Sequence, residues 1–225
     1  MPSALPCPTN LNIEILGSGP SLVLTHGVGS SLETWGAQVP VLSQHYTVIR
    51  WDLRGHGNSE RPEDPDCYSR DLALNDLQSI VESHNNGEQT VLVGHSLGGY
   101  LSMALAITQP QLVKSLILIA TGPGFRDPQA RDKWNAGMEK MAESFDLPSY
   151  VTGIAAQPDA LVMDRLEEIK VPTLLIVGER DKRYHGGCAY LERKLGATLV
   201  MIEGAGHMVH ETHAQEVNQA IEAFL

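Results

Sequence analysis

The residues in this chain best suited to covalent chemistry form one short run, Gly94-His95-Ser96-Leu97-Gly98-Gly99. A serine hydroxyl is a weak nucleophile until a base removes its proton and nearby donors stabilise the charge that develops. The run follows an apolar stretch at 90–93 (TVLV) and leads into a compact pattern of small and apolar residues at 97–108. A strand, a sharp turn and a helix are therefore expected, with glycines at 94 and 98 where a Cβ would crowd the neighbouring backbone. Such a turn lifts Ser96 over the sheet edge and sets it at a helix N-terminus, where unpaired amides face it. Nine histidines could supply the base. His207, in Gly204-Ala205-Gly206-His207, stands on a glycine loop just after an apolar run, and His210 is its rival. The orienting carboxylate is Asp181, in Gly178-Glu179-Arg180-Asp181, with Glu179 as the alternative. The run at 115–120 ends in Ala120-Thr121-Gly122 and offers no acid. The amides of Val28, in His26-Gly27-Val28-Gly29, and of Leu97 are the candidate oxyanion donors. Losing one donor of that kind typically costs about 100- to 1000-fold in rate.

These groups can meet only if separate elements carry them to one edge. Short, β-rich, mostly non-alternating runs at 21–25, 47–51, 90–93, 115–120, 173–177 and 198–202 read as strands covered on both faces. The segment 12–16 alternates more and reads as an edge strand. Between the runs lie helical patterns. Ser30 and Glu33 form an expected capping box, Ala73, Leu77, Ile80 and Val81 an apolar stripe, and Thr212 with Gln215 a cap for a last helix carrying Val217, Ile221 and Phe224. Strand–helix alternation implies a mostly parallel sheet with helices on both sides, and function at the carboxyl ends of its strands. The rhythm fails between about 122 and 170. There Trp134, Met138, Met141 and Phe145 fall on one face of an expected helix, Pro148 interrupts, and a helical pattern resumes at 161–169. The expectation is a single domain over 1–225, with a core of 1–121 and 171–225 and a cap or lid at about 122–170.

Composition narrows the remaining classes. Apolar residues at 42% in 225 suffice for a sizeable core, and a formal charge of −11 disfavours nucleic acid or an anionic membrane as main partner. No stretch is apolar enough for a membrane span, and the start, MPSALPCPTN, lacks the features of a signal peptide. The expected location is the cytoplasm. Three widely spaced cysteines, Cys7, Cys67 and Cys188, argue against a disulfide framework and a thiolate metal site. The histidine spacings suggest no metal ligand set, and the chemistry sketched above needs no cofactor or metal.

Taken together, the ordered segments His26 to Gly29, Asp52-Leu53-Arg54-Gly55-His56-Gly57-Asn58-Ser59, Gly94 to Gly99, Gly178 to Asp181, and Gly204 to His207 with Glu211 behind it resemble the α/β-hydrolase family over nearly the whole chain. The resemblance implies the chain order nucleophile Ser96, acid Asp181, base His207, an oxyanion hole from Val28 and Leu97, and a structural role for 52–59. His26 is expected to be structural as well. Two departures stand out: room for only one strand before Ser21, and an insertion shorter than the family's multi-helix caps, implying a more open site. Serine rather than aspartate at position 96 disfavours haloalkane and epoxide chemistry. The expected activity is hydrolysis of a small-molecule carboxylic ester of short to medium acyl length, with Trp134, Met138, Met141 and Phe145 as candidate pocket lining. A lactonase, a carbon–carbon bond hydrolase and a thioesterase would use the same triad, and Arg126, Arg131 and Lys133 are a weak hint of a basic entrance for the last. A slow-turnover small-molecule sensor is the alternative outside enzymology. Oligomeric state is not legible.

Overall fold

A computed structural model of the protein describes residues 7–225. In chain order, β1 (Ile13–Leu16) and β2 (Ser21–Thr25) precede α1 (Val39–Leu42), β3 (Thr47–Trp51), α2 (Arg70–His84), β4 (Thr90–His95) and α3 (Leu97–Thr108). Then come β5 (Val113–Ile119), α4 (Pro128–Ala136), α5 (Met138–Ser144), α6 (Leu161–Arg165), β6 (Thr173–Gly178), α7 (Lys182–Leu195), β7 (Thr198–Ile202), α8 (Val209–Thr212) and α9 (Ala214–Phe224). The strands form one seven-stranded sheet in the order β1-β3-β2-β4-β5-β6-β7. Only β1 runs antiparallel, pairing with β3 as the edge. Every residue of β2, β4 and β6 is buried, which is why those runs are apolar throughout rather than alternating.

Two apolar layers fill the faces of this sheet. On one, Leu77, Val81, Leu101 and Leu105 of α2 and α3 pack against Val23, Ile49, Leu92 and Leu116. On the other, Val217 and Ile221 of α9 join Trp35, Leu24, Val93 and Ile176. The chain leaves β2 toward β3 on one side and reaches β4 on the other, so the crevice between the carboxyl ends of β2 and β4 is the switch point of the sheet. The register sets Thr25 beside Gly94. Contact there is tight: a Cβ on Gly98 would lie 2.0 Å from the Thr25 carbonyl oxygen, and one on Gly94 would lie 2.3 Å from the Gly98 carbonyl group.

Residues between β5 and β6 contain no strand and fall into two parts. Val151, Ile154, Val162 and Leu166 are fully or almost fully buried against the body, and Arg70 of α2 grips Asp159 (Nη2–Oδ2 3.0 Å). α4 has no buried residue, and α5 buries only Met138 and Ala142. The single helix expected across 134–145 is broken at Gly137, which caps α4 at its C-terminus and precedes α5.

Three sequence expectations are corrected. Ser31, not Ser30, is the cap; its hydroxyl accepts from Glu33 N–H at 3.3 Å, ahead of a 3₁₀ turn at Leu32–Trp35. Thr212 does not cap the last helix. It closes α8, its hydroxyl donating to the Met208 carbonyl at 3.1 Å, while α9 starts after His213 without a side-chain cap. The cysteines do make a disulfide, Cys7–Cys67, leaving Cys188 free and buried. An odd count hides a pair as easily as it hides none, and the pairing depends on the N-terminal segment running beside the loop that precedes α2. No helix among the described residues is long and apolar enough to cross a membrane.

Two stability tests follow. Gly98→Ala should destabilise the protein by about 3 kcal/mol or prevent folding, because backbone rather than a flexible side chain meets the new methyl; denaturant titration would show it, and a wild-type midpoint would contradict the packing. Reduction of Cys7–Cys67 should lower stability by on the order of 2–4 kcal/mol, read as a drop in Tm under reductant that a Cys67→Ser variant no longer displays.

Candidate active site

Ser96 sits between β4 and α3 with φ 52° and ψ −113°, a region that non-glycine residues rarely occupy. Its amide donates to the Ile119 carbonyl (2.9 Å), and its own carbonyl accepts from Thr121 Oγ1 (2.7 Å), so strand β5 and the residues after it hold the turn. Leu97 is the first residue of α3, so its N–H has no intrahelical acceptor. The loop after β2 passes close by, since a Cβ on Gly27 would approach the Ser96 Cβ to 3.0 Å. The Val28 amide next to it makes no backbone hydrogen bond.

His207 and Asp181 arrive from the carboxyl ends of β7 and β6. His207 Nδ1 lies 2.7 Å from Asp181 Oδ2. The carboxylate accepts, so Nδ1 carries the proton and Nε2 is the free basic nitrogen. Asp181 is buried, and His207 is partly open. Ser96, Asp181 and His207 line one cavity of about 1290 Å³ together with Val28 and Leu97. No direct hydrogen bond joins Ser96 Oγ to His207 in this arrangement. Such contacts often tighten only when substrate is bound.

The two sequence rivals are occupied elsewhere. His210 is fully buried, its Nε2 2.7 Å from Thr34 Oγ1, and Thr34 in turn donates to Glu211. Glu179 accepts from the Gly204 amide at 2.9 Å and bridges the turns after β6 and β7. Cys188 is no competing nucleophile, because burial, with the nearby Asp181 charge, pushes its thiol up to about 12. His26 accepts from Leu53 N–H (3.0 Å) and donates through Nδ1 to the Gly27 carbonyl (2.7 Å). Asp52 collects the amides of Leu32 (2.6 Å) and Asn58 (2.9 Å). Both thus tie the loops behind the site.

Sequence reasoning missed the groups around His207. Tyr184, in the first turn of α7, stacks on the imidazole with centroids 4.8 Å apart and planes 18° from parallel. His95, the variable residue of the serine motif, donates through Nε2 to the His207 carbonyl at 3.0 Å and packs on the His210 ring at 4.4 Å. The spacing of Tyr184 three residues after Asp181 was the available signal. Nothing local marks His95 as a support for a loop 112 residues away.

The four apolar candidates of the insertion, Trp134, Met138, Met141 and Phe145, all line the cavity despite the break at Gly137. Phe145 lies over Gly29, where a Cβ would fall 2.1 Å from the ring, and Trp134 Nε1 donates to the Ala155 carbonyl (2.9 Å). The space left beneath the short insertion is large. The space exceeds the roughly 300–1,000 Å³ usual for small-molecule sites, because α4 and α5 arch over the sheet edge instead of packing down on it.

The model of the alpha/beta hydrolase fold matches residues 20–164. The chain belongs to the alpha/beta hydrolase fold family. Among characterised hydrolases it is 28% identical to (E)-2-((N-methylformamido)methylene)succinate hydrolase of Acinetobacter baylyi, across 93% of this chain and 91% of that one. It is 26% identical to the pimeloyl-[acyl-carrier protein] methyl ester esterase of Aeromonas hydrophila, across 96% of this chain and 99% of that one. A thermophilic esterase from Thermogutta terrifontis, solved with malate bound, superposes with a TM-score of 0.83 at 25% identity, covering 98% of this chain and 94% of that one. These relatives are hydrolases and esterases named for different substrates, so the family sets the reaction class more firmly than the substrate.

The buried histidines set a pH signature for stability. Burial lowers His26 to about 3 and His210 to about 4, and drives His95 well below the usual 6.5. Each takes up a proton more readily unfolded than folded. Their stabilising contribution is therefore complete above 6.5 and is lost as pH falls from there through the folded-state values. Tm should drop steadily from pH 7 to pH 4.5, and His210→Gln should flatten that slope while costing stability at pH 7. A wild-type Tm constant over that interval would contradict the neutral histidine layer.

Proposed function

We propose that this chain is a serine hydrolase acting on carboxylic esters through an acyl-enzyme intermediate. The observation that carries the reading is the His207–Asp181 pair, at 2.7 Å, lining the same cavity as a serine held at positive φ on a helix N-terminus. In this reading His207 Nε2 takes the Ser96 proton as Oγ attacks the acyl carbonyl. The amides of Val28 and Leu97 receive the oxyanion. His207 then protonates the departing alcohol, and afterwards activates the water that releases the acid. Asp181 keeps the proton on Nδ1 and stabilises the imidazolium. Tyr184 holds the ring plane and adds a π-face to the cationic form. Trp134, Met138, Met141 and Phe145 supply apolar wall for the substrate.

A short- to medium-chain acyl group remains the proposed substrate, with cavity volume to spare for a bulkier alcohol part. The ester bond of the Aeromonas relative's named substrate supports ester over carbon–carbon cleavage. With p-nitrophenyl esters of increasing acyl length, turnover should be greatest below about C12, the longest chains losing entropy on ordering in a site of this size. Ser96→Ala should lower kcat by at least about 10⁴-fold with Tm preserved. A variant retaining most of its activity would overturn the assignment of Ser96.

A further inference from the structure

The cavity wall carries charge out of keeping with the rest of the chain. The formal net charge is −11. Yet the residues lining the cavity include three cations, Lys133, Lys140 and Arg183, and a single acid, Asp181, already engaged by His207. Neighbouring basic groups are used up. Arg126 pairs with Asp164 at 3.0 Å, and Arg131 donates to the Arg126 carbonyl at 2.6 Å. Lys133, Lys140 and Arg183 form no ion pair among the described residues. Arg183 is held in place by Trp134, its guanidinium carbon 5.3 Å from the ring centroid, and Trp134 is itself locked to the Ala155 carbonyl.

An unpaired donor lies beside them. Gln157 is only 8% exposed and lines the cavity. Its Oε1 accepts from the Phe125 amide at 3.1 Å, which fixes the amide orientation and leaves Nε2 without a protein acceptor on the cavity wall. Asn135 clamps the Gln157 backbone from both sides, Nδ2 to its carbonyl at 3.1 Å and Oδ1 to its amide at 2.8 Å. Asn135 is the neighbour of Trp134 on α4, so α4 links the Gln157 backbone to the Arg183–Trp134 stack, and Gln157, Trp134 and Arg183 line the same cavity. An N–H left free on the cavity wall is available to an acceptor on a bound molecule. Exposed cations are individually weak, but three of one sign around a low-dielectric mouth raise the local concentration of anions.

We propose that the substrate carries a free carboxylate beside the scissile ester, received by Gln157 Nε2 and Arg183, with Lys133 and Lys140 drawing it in. This rests on the esterase reading and narrows it to acidic half-esters. Arg183 supplies the planar donor fork suited to a carboxylate, and the lysines supply unpaired charge.

The test compares p-nitrophenyl hydrogen glutarate with p-nitrophenyl valerate, two esters of equal acyl length differing in one terminal carboxylate. The ratio of kcat/KM, acidic over neutral, should be about 10 or more at low ionic strength and should fall several-fold in 0.5 M NaCl, as screened attraction does. Arg183→Gln should lower that ratio about 10-fold, mainly through KM of the acidic ester, and Arg183→Lys should restore part of it. Free glutarate should inhibit valerate hydrolysis competitively. A ratio near or below one would overturn the proposal, as would a ratio indifferent to both salt and Arg183→Gln. So would turnover of butyryl-CoA exceeding that of the glutarate ester, which would assign the cations to phosphates. If Arg183→Gln does not fold, the salt series and Lys133→Gln/Lys140→Gln decide. Ser96→Ala separates the two layers. Activity surviving in it sinks the esterase reading itself, whereas Ser96-dependent hydrolysis favouring the neutral ester sinks only the carboxylate.

Discussion

Everything at the sheet edge depends on how closely two backbones approach between β2 and β4. Gly98, at the start of α3, lies so near the Thr25 carbonyl that no side chain could stand between them. That contact brings the loop after β2, with its free Val28 amide, next to the turn that presents Ser96. Were the helix displaced by the width of a methyl group, the serine and the two amides would no longer face one space. The positive φ at Ser96 belongs to the same constraint. The strain of a non-glycine residue there is tolerated because Ile119 and Thr121 grip the turn on both sides.

Behind the open imidazole of His207 stands a layer of histidines that stay neutral. His26, His95 and His210 are too deeply buried to hold charge cheaply, and their protons are committed to the Gly27 carbonyl, the His207 carbonyl and the Thr34 hydroxyl respectively. The uncharged His95 ring packs on His207 with centroids 4.7 Å apart, with His210 behind it at 4.4 Å, without the repulsion that imidazolium groups would bring. They leave His207 as the solvent-accessible histidine of this group, hydrogen-bonded to the Asp181 carboxylate. His95 couples the two halves directly, since it precedes Ser96 in sequence and holds the carbonyl of His207 in space.

The insertion divides its work along its length. The segment from Ser149 onward is buried against α2 and α3, while α4 and α5 contribute little to the core and mostly form cavity wall. Separating anchor from wall lets the wall carry the unpaired lysines Lys133 and Lys140, which a packed helix could not hold without partners. It also explains how a short insertion leaves a large volume at the sheet edge.

By itself, the sequence determined what is local or periodic. The inner strands β2, β4 and β6 were legible because fully buried strands need unbroken apolar runs, and the serine turn because only glycines fit at 94 and 98. The order Ser96, Asp181, His207 was legible because each follows a strand. Helix caps were less so: Ser31 displaced Ser30 by one residue, since either serine satisfies the pattern and only the turn geometry decides. Tertiary structure alone settled what depends on distance between far segments. The Cys7–Cys67 pair, the seat of His210 under Thr34, the ring of Tyr184 on His207 and the guanidinium of Arg183 over Trp134 each join residues whose separation along the chain says nothing of their separation in space. Burial and close packing fix such neighbours after the sheet has formed, and no short pattern of residue types encodes them.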